Sequence, residues 1–143
     1  MTPEPSSSFG PARALGAYAV TLLIFFAVDL VWLSVVAKNF YRQHIGHLLG
    51  AEVNWTAAVL FYLVYIAGIV VFAVKPALDA ASAVRALTSG ALLGFIAYAT
   101  YDLTNQATMR DWPLIVTVID LAWGTVLTAT VAFLSYQVSH RIL

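Results

Sequence analysis

Long apolar stretches alternate with short polar ones along this chain. Four windows carry enough consecutive apolar positions to cross the hydrocarbon of a bilayer, which takes roughly 20 residues of helix. These windows are residues 14–37, 56–74, 86–103 and 114–137. Of the charged residues, only Asp29, Asp102 and Asp120 lie inside them. The pattern predicts an all-α integral membrane four-helix bundle with up-down-up-down topology.

The polar connections mark where the predicted helices begin and end. Pro76 follows the second window, where a proline cannot continue a helix. Asp79 or Ser82 is placed to cap the third helix, Asn54 the second and Asp111 the fourth. These positions therefore agree with the division into four spans.

The domain organisation predicted from this pattern is simple. Residues 1–13, rich in proline and serine, are predicted to be a flexible N-terminal tail, residues 14–137 a single four-span transmembrane domain, and residues 138–143 a C-terminal tail. The first window is too long for the apolar region of a signal peptide and contains Asp29, so we expect it to remain as a span.

The longest polar connection, residues 38–55, joins the first two windows. Tyr41, Ile45, Leu48 and Leu49 recur within it at helical spacing. Such a stripe beside polar and basic positions is typical of a short helix that lies in the membrane interface. A short interfacial helix is therefore predicted between spans one and two.

Composition narrows the classes of function. The chain is 62% hydrophobic and 10% charged with a formal net charge of zero, whereas soluble domains are about 45–50% apolar and 25% charged. No basic field exists to hold nucleic acid, and the absence of cysteine removes disulfides and thiolate chemistry. Membrane lipids are the expected partners, a homo-oligomer is compatible with the size, and no cofactor is predicted.

The three acids inside the windows are the main candidates for a site. The predicted topology places Asp29, Asp102 and Asp120 within roughly 12 Å of one membrane face. Acids inside spans usually face the bundle interior and mark a functional path. The alternative is structural, in which each carboxyl only binds tyrosines or backbone and holds helices together. Three acids at one level favour a site, with the acids as catalytic candidates.

Polar and aromatic neighbours strengthen that hypothesis. Tyr98, Asp102 and Asn105 share one face of the third span, with Tyr101 beside it. Trp32 and Trp123 each follow an acid by one turn, in the related segments DLVW and DLAW, and are predicted to form apolar walls. Candidate ligand-binding residues on the spans are thus Trp32, Tyr98, Tyr101, Asn105 and Trp123.

Small and aromatic residues elsewhere on the spans have structural interpretations. Gly90 and Gly94 predict close approach of a neighbouring helix. Phe61, Tyr62 and Tyr65 are interpreted as lipid-facing or core residues.

The connection at residues 38–55 adds further candidates on the same side as the acids. His44 is predicted as a general acid or base, and His47, Glu52 and Asn54 as ligand-binding residues. His44, His47 and Glu52 also have the chemistry of a zinc or non-haem metal site. Two histidines three residues apart are a weak metal signal, so acid–base use of His44 is preferred and no metal is predicted.

Four motifs resemble an uncharacterised family. They are AEVNW at residues 51–55, YATYDLTN at 98–105, WP at 112–113 and DLAWG at 120–124. With them the chain resembles a bacterial membrane-protein family known as domain of unknown function 2177. The resemblance implies a four-helix protein of the bacterial inner membrane and supplies no catalytic roles. Basic residues in the connections weakly favour cytoplasmic N- and C-termini.

Three hypotheses about function follow. The leading one is an acid-lined site near one leaflet that binds, and in an extended form modifies, a lipid or other amphiphile. The second is a proton-coupled small-molecule carrier that acts as an oligomer. The third is a structural membrane subunit with no ligand site.

Overall fold

The computed structural model describes residues 9–143. Most of the predicted N-terminal tail, residues 1–8, lies outside the described residues. The first helix begins at Pro11 and the last ends at Ile142. Residues 11–13 and 138–142, which the sequence pattern assigns to tails, are therefore helical.

Helices account for nearly all of the described chain. Their bounds are α1 Pro11–Trp32, α2 Lys38–Ile45, α3 Trp55–Ile69, α4 Lys75–Asp79, α5 Ala83–Thr108 and α6 Leu114–Ile142. Within residues 9–143, four continuous helical segments are long and apolar enough to cross a membrane: Pro11–Leu48, Trp55–Asp79, Ala83–Thr108 and Leu114–Ile142. The predicted all-α, four-span architecture is confirmed.

The first segment contains the short helix expected between spans one and two. A π-helical turn, Leu33–Ala37, joins α1 to α2 without a break, and a 3-10 turn, Gly46–Leu48, ends the segment. A π turn holds an extra residue, so it rotates the faces of the helix that follows. Ile45 is buried, whereas Leu48 and Leu49 are exposed, so the predicted apolar face continues only as far as Ile45.

Side-chain caps begin two of the spans as expected. Asn54 Oδ1 accepts a hydrogen bond from the backbone N–H of Ala57 at 3.1 Å. Ser82 Oγ accepts one from the N–H of Arg85 at 3.2 Å. The predicted Asp111 cap is wrong: Asp111 lies in a turn at φ 61°, and α6 begins after Pro113 with no side-chain cap.

Contacts along α1 and α6 show that these helices run in opposite directions. Gly16 faces Leu143, Trp32 stacks on Trp123, and Ile45 packs in one cluster with Val116. Both described ends of the chain therefore lie at one end of the bundle, which we call the termini end. The opposite end is called the α2 end.

Helices α5 and α6 form an antiparallel pair with very close backbones. A Cβ atom on Gly94 would overlap the carbonyl oxygen of Gly124, and one on Gly124 would overlap the Tyr98 ring. A Cβ on Gly90 would lie 2.7 Å from the carbonyl oxygen of Thr128. Close approach at the α5 glycines is confirmed, and we call this contact the α5–α6 seam.

The apolar core occupies the termini-end half. Ile66, Ile69 and Val74 from the second span are fully buried there with Leu127 and Val131 of α6. The part of α3 before Tyr65 differs, since most of its large side chains are exposed, among them Val59, Leu60, Phe61, Leu63 and Val64. Helix α3 is therefore anchored by its second half and stands apart from α5 at the α2 end.

Candidate functional site

The separation of α3 from α5 leaves a cavity of about 340 Å³ in the α2-end half of the bundle. Its lining residues are Phe61, Tyr65, Ala97, Tyr98, Tyr101 and Asp120. Phe61 on α3 is 51% exposed and Tyr101 on α5 is 57% exposed. The cavity therefore opens sideways between these two helices, and we call it the α3–α5 cavity.

Aromatic side chains of α3 fix one wall of this cavity. The Tyr65 hydroxyl and Thr128 Oγ1 are 2.7 Å apart in a buried hydrogen bond that ties α3 to α6. Phe61, one turn away, stacks on Tyr65 with ring centroids 5.4 Å apart and an interplanar angle of 14°. Small Ala97 faces this wall from α5 and leaves the space open.

A second cavity of about 170 Å³ lies beside the first. Its lining residues are Phe25, Asp29, Trp32, Leu33, Tyr41, Phe61, Tyr62, Tyr98 and Trp123. Phe61 and Tyr98 line both cavities, so their side chains form the partition between them. The two cavities place Asp29 and Asp120 on opposite sides of this partition.

The predicted tryptophan walls meet in the structure. The Trp32 and Trp123 rings stack with centroids 4.3 Å apart and an interplanar angle of 7°. Because α1 and α6 are antiparallel, Asp29 and Asp120 lie one turn away from the stack in opposite directions. At 1.5 Å rise per residue this separates the two acids by about 9 Å along the bundle. That all three acids lie within roughly 12 Å of one membrane face stays a prediction.

Asp120 is the acid of the larger cavity, and it has two close polar neighbours. The Tyr41 hydroxyl donates to Asp120 Oδ1 at 2.5 Å, so α2 reaches back to α6. The carboxyl of Asp102, on α5, interacts with that of Asp120. The seam therefore presents two neighbouring carboxyl groups beside the cavity.

Asp102 itself is completely buried. Within residues 9–143, neither of its carboxyl oxygens has a hydrogen-bond partner. Buried polar atoms in proteins are nearly always paired, so this carboxyl calls for a physical explanation. A proton between Asp102 and Asp120 would supply the missing bond, and the arrangement is thus suited to holding and releasing a proton.

Asp29 is the acid of the smaller cavity. It is 7% exposed and accepts a hydrogen bond from the Tyr62 hydroxyl at 3.2 Å. Tyr98 interacts electrostatically with both Asp29 and Asp120. The structure thus brings the three predicted acids into one neighbourhood, with tyrosines between them.

A polar chain links α5 and α6 near the α2 end. Trp112 Nε1 donates to Thr117 Oγ1 at 3.1 Å, and the Thr117 hydroxyl donates to Gln106 Oε1 at 2.7 Å. Asn105 interacts with Tyr101 and is absent from both cavity linings. Asn105 thus supports a lining residue without lining a cavity itself.

The candidates from residues 44–54 lie apart from the acids. His44 Nδ1 is bonded to the Phe40 carbonyl at 2.8 Å, His47 and Glu52 are exposed, and Asn54 caps α3. None of the four lines either cavity. Over the described part of the chain, no group of three or more His, Asp or Glu side chains is arranged to hold a metal ion.

Sequence patterns gave little warning of several cavity residues. Tyr41 reads as part of an apolar stripe, yet its hydroxyl binds Asp120. Tyr65 belongs to the apolar core with Tyr62 packed against it, and Phe61 is half exposed, as the sequence predicts; each of the three also lines a cavity, which the sequence does not predict. Helical periodicity does not distinguish an aromatic ring facing lipid from one facing a cavity, so only the tyrosine hydroxyls offered a signal.

Comparison with known proteins identifies the family. A family model described as "Predicted membrane protein (DUF2177)" matches residues 14–137. The chain belongs to this family. No curated protein and no solved structure matches the chain. It is thus an integral membrane protein of a family whose function is unknown, as the four motifs predicted.

Proposed function

We propose that this protein binds an amphiphile, such as a lipid, within the membrane. The α3–α5 cavity receives the polar end of the molecule, and the apolar part extends through the lateral opening into lipid. Asp120 contacts the polar end, with Asp102 behind it. The tryptophan stack forms a wall of the smaller cavity on the other side of the partition.

The observation that carries this proposal is the α3–α5 cavity itself. Its volume of about 340 Å³ falls within the range of roughly 300–1,000 Å³ found for small-molecule sites. Such sites are mostly apolar with a few converging polar groups, and this lining has four aromatic rings, one alanine and one carboxyl.

Chemical modification of the ligand is an extension of the same proposal. Two neighbouring carboxyls beside a cavity are suited to general acid–base catalysis, since one can hold the proton that the other accepts. Asp102 and Asp120 would perform that step. His44, the other predicted catalytic residue, lines neither cavity, so this step is assigned to the two carboxyls alone.

The decisive experiment is mass spectrometry of the molecules that co-purify with the protein. We expect an amphiphile bound to the wild-type protein and lost from Asp120→Asn and Asp102→Asn. Asp79→Asn is the matched control, because Asp79 is an exposed acid at the termini end. Equal retention by wild type and by Asp29→Asn, Asp102→Asn and Asp120→Asn would contradict the proposal.

A proton-coupled carrier is the second candidate function, and one observation favours it. Asp29 and Asp120 line adjacent cavities that share Phe61 and Tyr98. An acid that can carry a proton therefore lies in each of two neighbouring spaces. In proteoliposomes with an internal pH dye, substrate-driven proton movement that Asp29→Asn abolishes would support a carrier. Substrate binding without proton movement would leave only the binding function.

The cellular setting completes the proposal. We place the protein in the bacterial inner membrane with cytoplasmic termini and membrane lipids as partners, and an oligomer stays a prediction. Labelling of single cysteines introduced at residues 12 and 53 tests the orientation, because the natural chain contains no cysteine. Cytoplasmic termini require that a membrane-impermeant reagent on intact cells label only residue 53.

A further inference from the structure

The carboxyl groups in and beside the two cavities have no basic counterpart in the lining. Asp120 lines the α3–α5 cavity, Asp29 lines the smaller one, and Asp102 lies behind Asp120. Among the described residues, no lysine, arginine or histidine lines either space. The salt bridge Lys75–Asp79, at 2.5 Å, is exposed at the termini end. The acids of the site therefore have no basic side chain in the lining to neutralise them.

The aromatic residues of the lining also favour a positively charged ligand. Phe61, Tyr65, Tyr98 and Tyr101 make up four of the six lining residues. The face of an aromatic ring carries partial negative charge and attracts a cation within about 6 Å of the ring centre. Several rings around one carboxyl form the kind of surface that binds ammonium groups in aromatic cages.

Hydrogen bonding to the wall disfavours an anionic ligand. The Tyr41 hydroxyl already donates to Asp120, and the Tyr65 hydroxyl is engaged with Thr128. A phosphate, sulfate or carboxylate needs several donors or a cation to replace its water. In this cavity such a group would find the Tyr98 and Tyr101 hydroxyls as donors, but it would also lie against the Asp120 carboxyl, with no basic side chain among the described lining residues to balance the two negative charges.

We propose that the polar end of the ligand is a cation, so that the substrate class is an alkyl- or arylammonium amphiphile without a phosphate. The positive group lies among the four rings and against Asp120, and the apolar chain leaves between Phe61 and Tyr101. This inference rests on the proposed function, because it specifies the ligand of the same cavity. Zwitterionic and anionic lipids are the alternatives that the test separates.

The test compares three probes with the same twelve-carbon chain. Dodecyltrimethylammonium is the cation, dodecyldimethylphosphine oxide the neutral analogue and dodecyl sulfate the anion. Radiolabelled probe bound to the full chain in phosphatidylcholine nanodiscs is measured against protein-free nanodiscs, below concentrations that disturb the bilayer. We expect saturable binding of the cation, about tenfold tighter than that of the neutral probe, and no saturable binding of the anion.

Variants assign the preference to the cavity. Asp120→Asn retains an acceptor for the Tyr41 hydroxyl and removes the charge, so we expect about a tenfold loss of cation affinity with little change for the neutral probe. Asp120→Glu keeps most of the affinity. Asp79→Asn removes a carboxylate at the termini end and should change neither the affinity for the cationic probe nor that for the neutral probe. Should Asp120→Asn fail to fold, Phe61→Leu, at a half-exposed position, is measured in its place. We expect it to weaken binding of the cationic probe and to leave binding of the neutral probe unchanged.

The outcomes separate the two proposals. Equal binding of all three probes is consistent with the proposed amphiphile site and contradicts the proposed preference for a cation. Preferential binding of dodecyl sulfate overturns it as well. Absence of saturable binding by every probe contradicts both proposals. Selective binding of the cation that persists unchanged in both Asp120→Asn and Phe61→Leu also overturns the inference, because the cation then binds outside this cavity.

Discussion

Helix α5 makes two very different contacts along its length. Towards α6 it presents Gly90 and Gly94, and the backbones approach so closely that no side chain fits between them. Towards α3 it presents Ala97 and Tyr101, which line an open cavity. Small residues occur on both sides, so residue size alone does not decide whether a helix surface is packed. The deciding factor is whether the neighbouring helix also presents a small surface.

The neighbours of α5 account for the difference. Helix α6 offers Gly124 at the closest point, and tight van der Waals contact of small residues is what associates helices in a membrane. Helix α3 offers the large rings of Phe61 and Tyr65, which stack on each other. Its apolar anchor, around Ile66 and Ile69, lies further along towards the termini end. The bundle is thus tightly packed around the buried second half of α3, and it contains a cavity beside the Phe61 and Tyr65 rings.

The largest expected effect comes from disturbing the α5–α6 seam. In Gly94→Ala the new methyl group overlaps the Gly124 carbonyl oxygen, so we expect a loss of about 2–3 kcal/mol in the free energy of unfolding. Gly68→Ala is the control, since no atom lies within 4 Å of the added carbon. That change should be neutral or stabilise by up to about 1 kcal/mol. Unfolding in mixed micelles with increasing dodecyl sulfate measures the stability of both variants. Similar free energies of unfolding for Gly94→Ala and Gly68→Ala would contradict the close contact between α5 and α6.

The next effect concerns the open side of the same helix. Ala97→Leu places three more carbons in the α3–α5 cavity, so the affinity for the co-purifying amphiphile should fall by about tenfold, or 1.4 kcal/mol. Stability should hold or rise because empty space is filled. Ala107→Leu, at an exposed position of α5, is the control. Mass spectrometry measures how much of the amphiphile each variant retains. An undiminished amount in Ala97→Leu would mean that the ligand binds outside this cavity.

A smaller effect is expected at the boundary between the packed and open regions. Tyr65→Phe removes the hydroxyl that is bonded to Thr128 at 2.7 Å and keeps the ring. We expect a loss of about 1 kcal/mol in the free energy of unfolding, typical of one buried hydrogen bond. The double variant with Thr128→Val should lose little more. Strictly additive losses in this double-mutant cycle would show that the two hydroxyls are not coupled.

The smallest effect serves as a reference outside both regions. Asp79→Asn removes the Lys75–Asp79 salt bridge, whose side chains are 43% and 40% exposed. Exposed pairs of this kind contribute about 0.3–0.5 kcal/mol, so the unfolding transition should move only slightly. A loss as large as that of Gly94→Ala would show that the termini end depends on this ion pair more than its exposure indicates.

The sequence was sufficient for the framework and for the seam. The four spans follow from unbroken apolar stretches, the caps Asn54 and Ser82 from local hydrogen bonding, and the close contact at Gly94 from small-residue spacing. These features depend on residues near one another in sequence or on one helix face. The family match over residues 14–137 agrees with the motifs that pointed to it.

The site required three-dimensional information. The three acids were visible because charge in an apolar stretch is conspicuous. The Tyr41–Asp120 hydrogen bond joins residues 79 apart in sequence and follows a π turn, and helical periodicity predicts neither feature. The cavity depends on α3 standing away from α5, which its uniform apolar pattern does not encode. The position of His44 also required the structure, since its Nδ1 is hydrogen-bonded to the Phe40 carbonyl and it lines neither cavity; its use as an acid or base stays a prediction.

The tryptophan pair has a practical consequence. Two indoles stacked nearly parallel at 4.3 Å couple their strong electronic transitions, so the circular dichroism of the pair depends on how the two rings are arranged. Because both rings form a wall of the smaller cavity, a molecule or a helix movement that shifts either ring changes that signal. The protein thus carries a built-in optical reporter that allows occupancy to be followed in a bilayer without any attached dye.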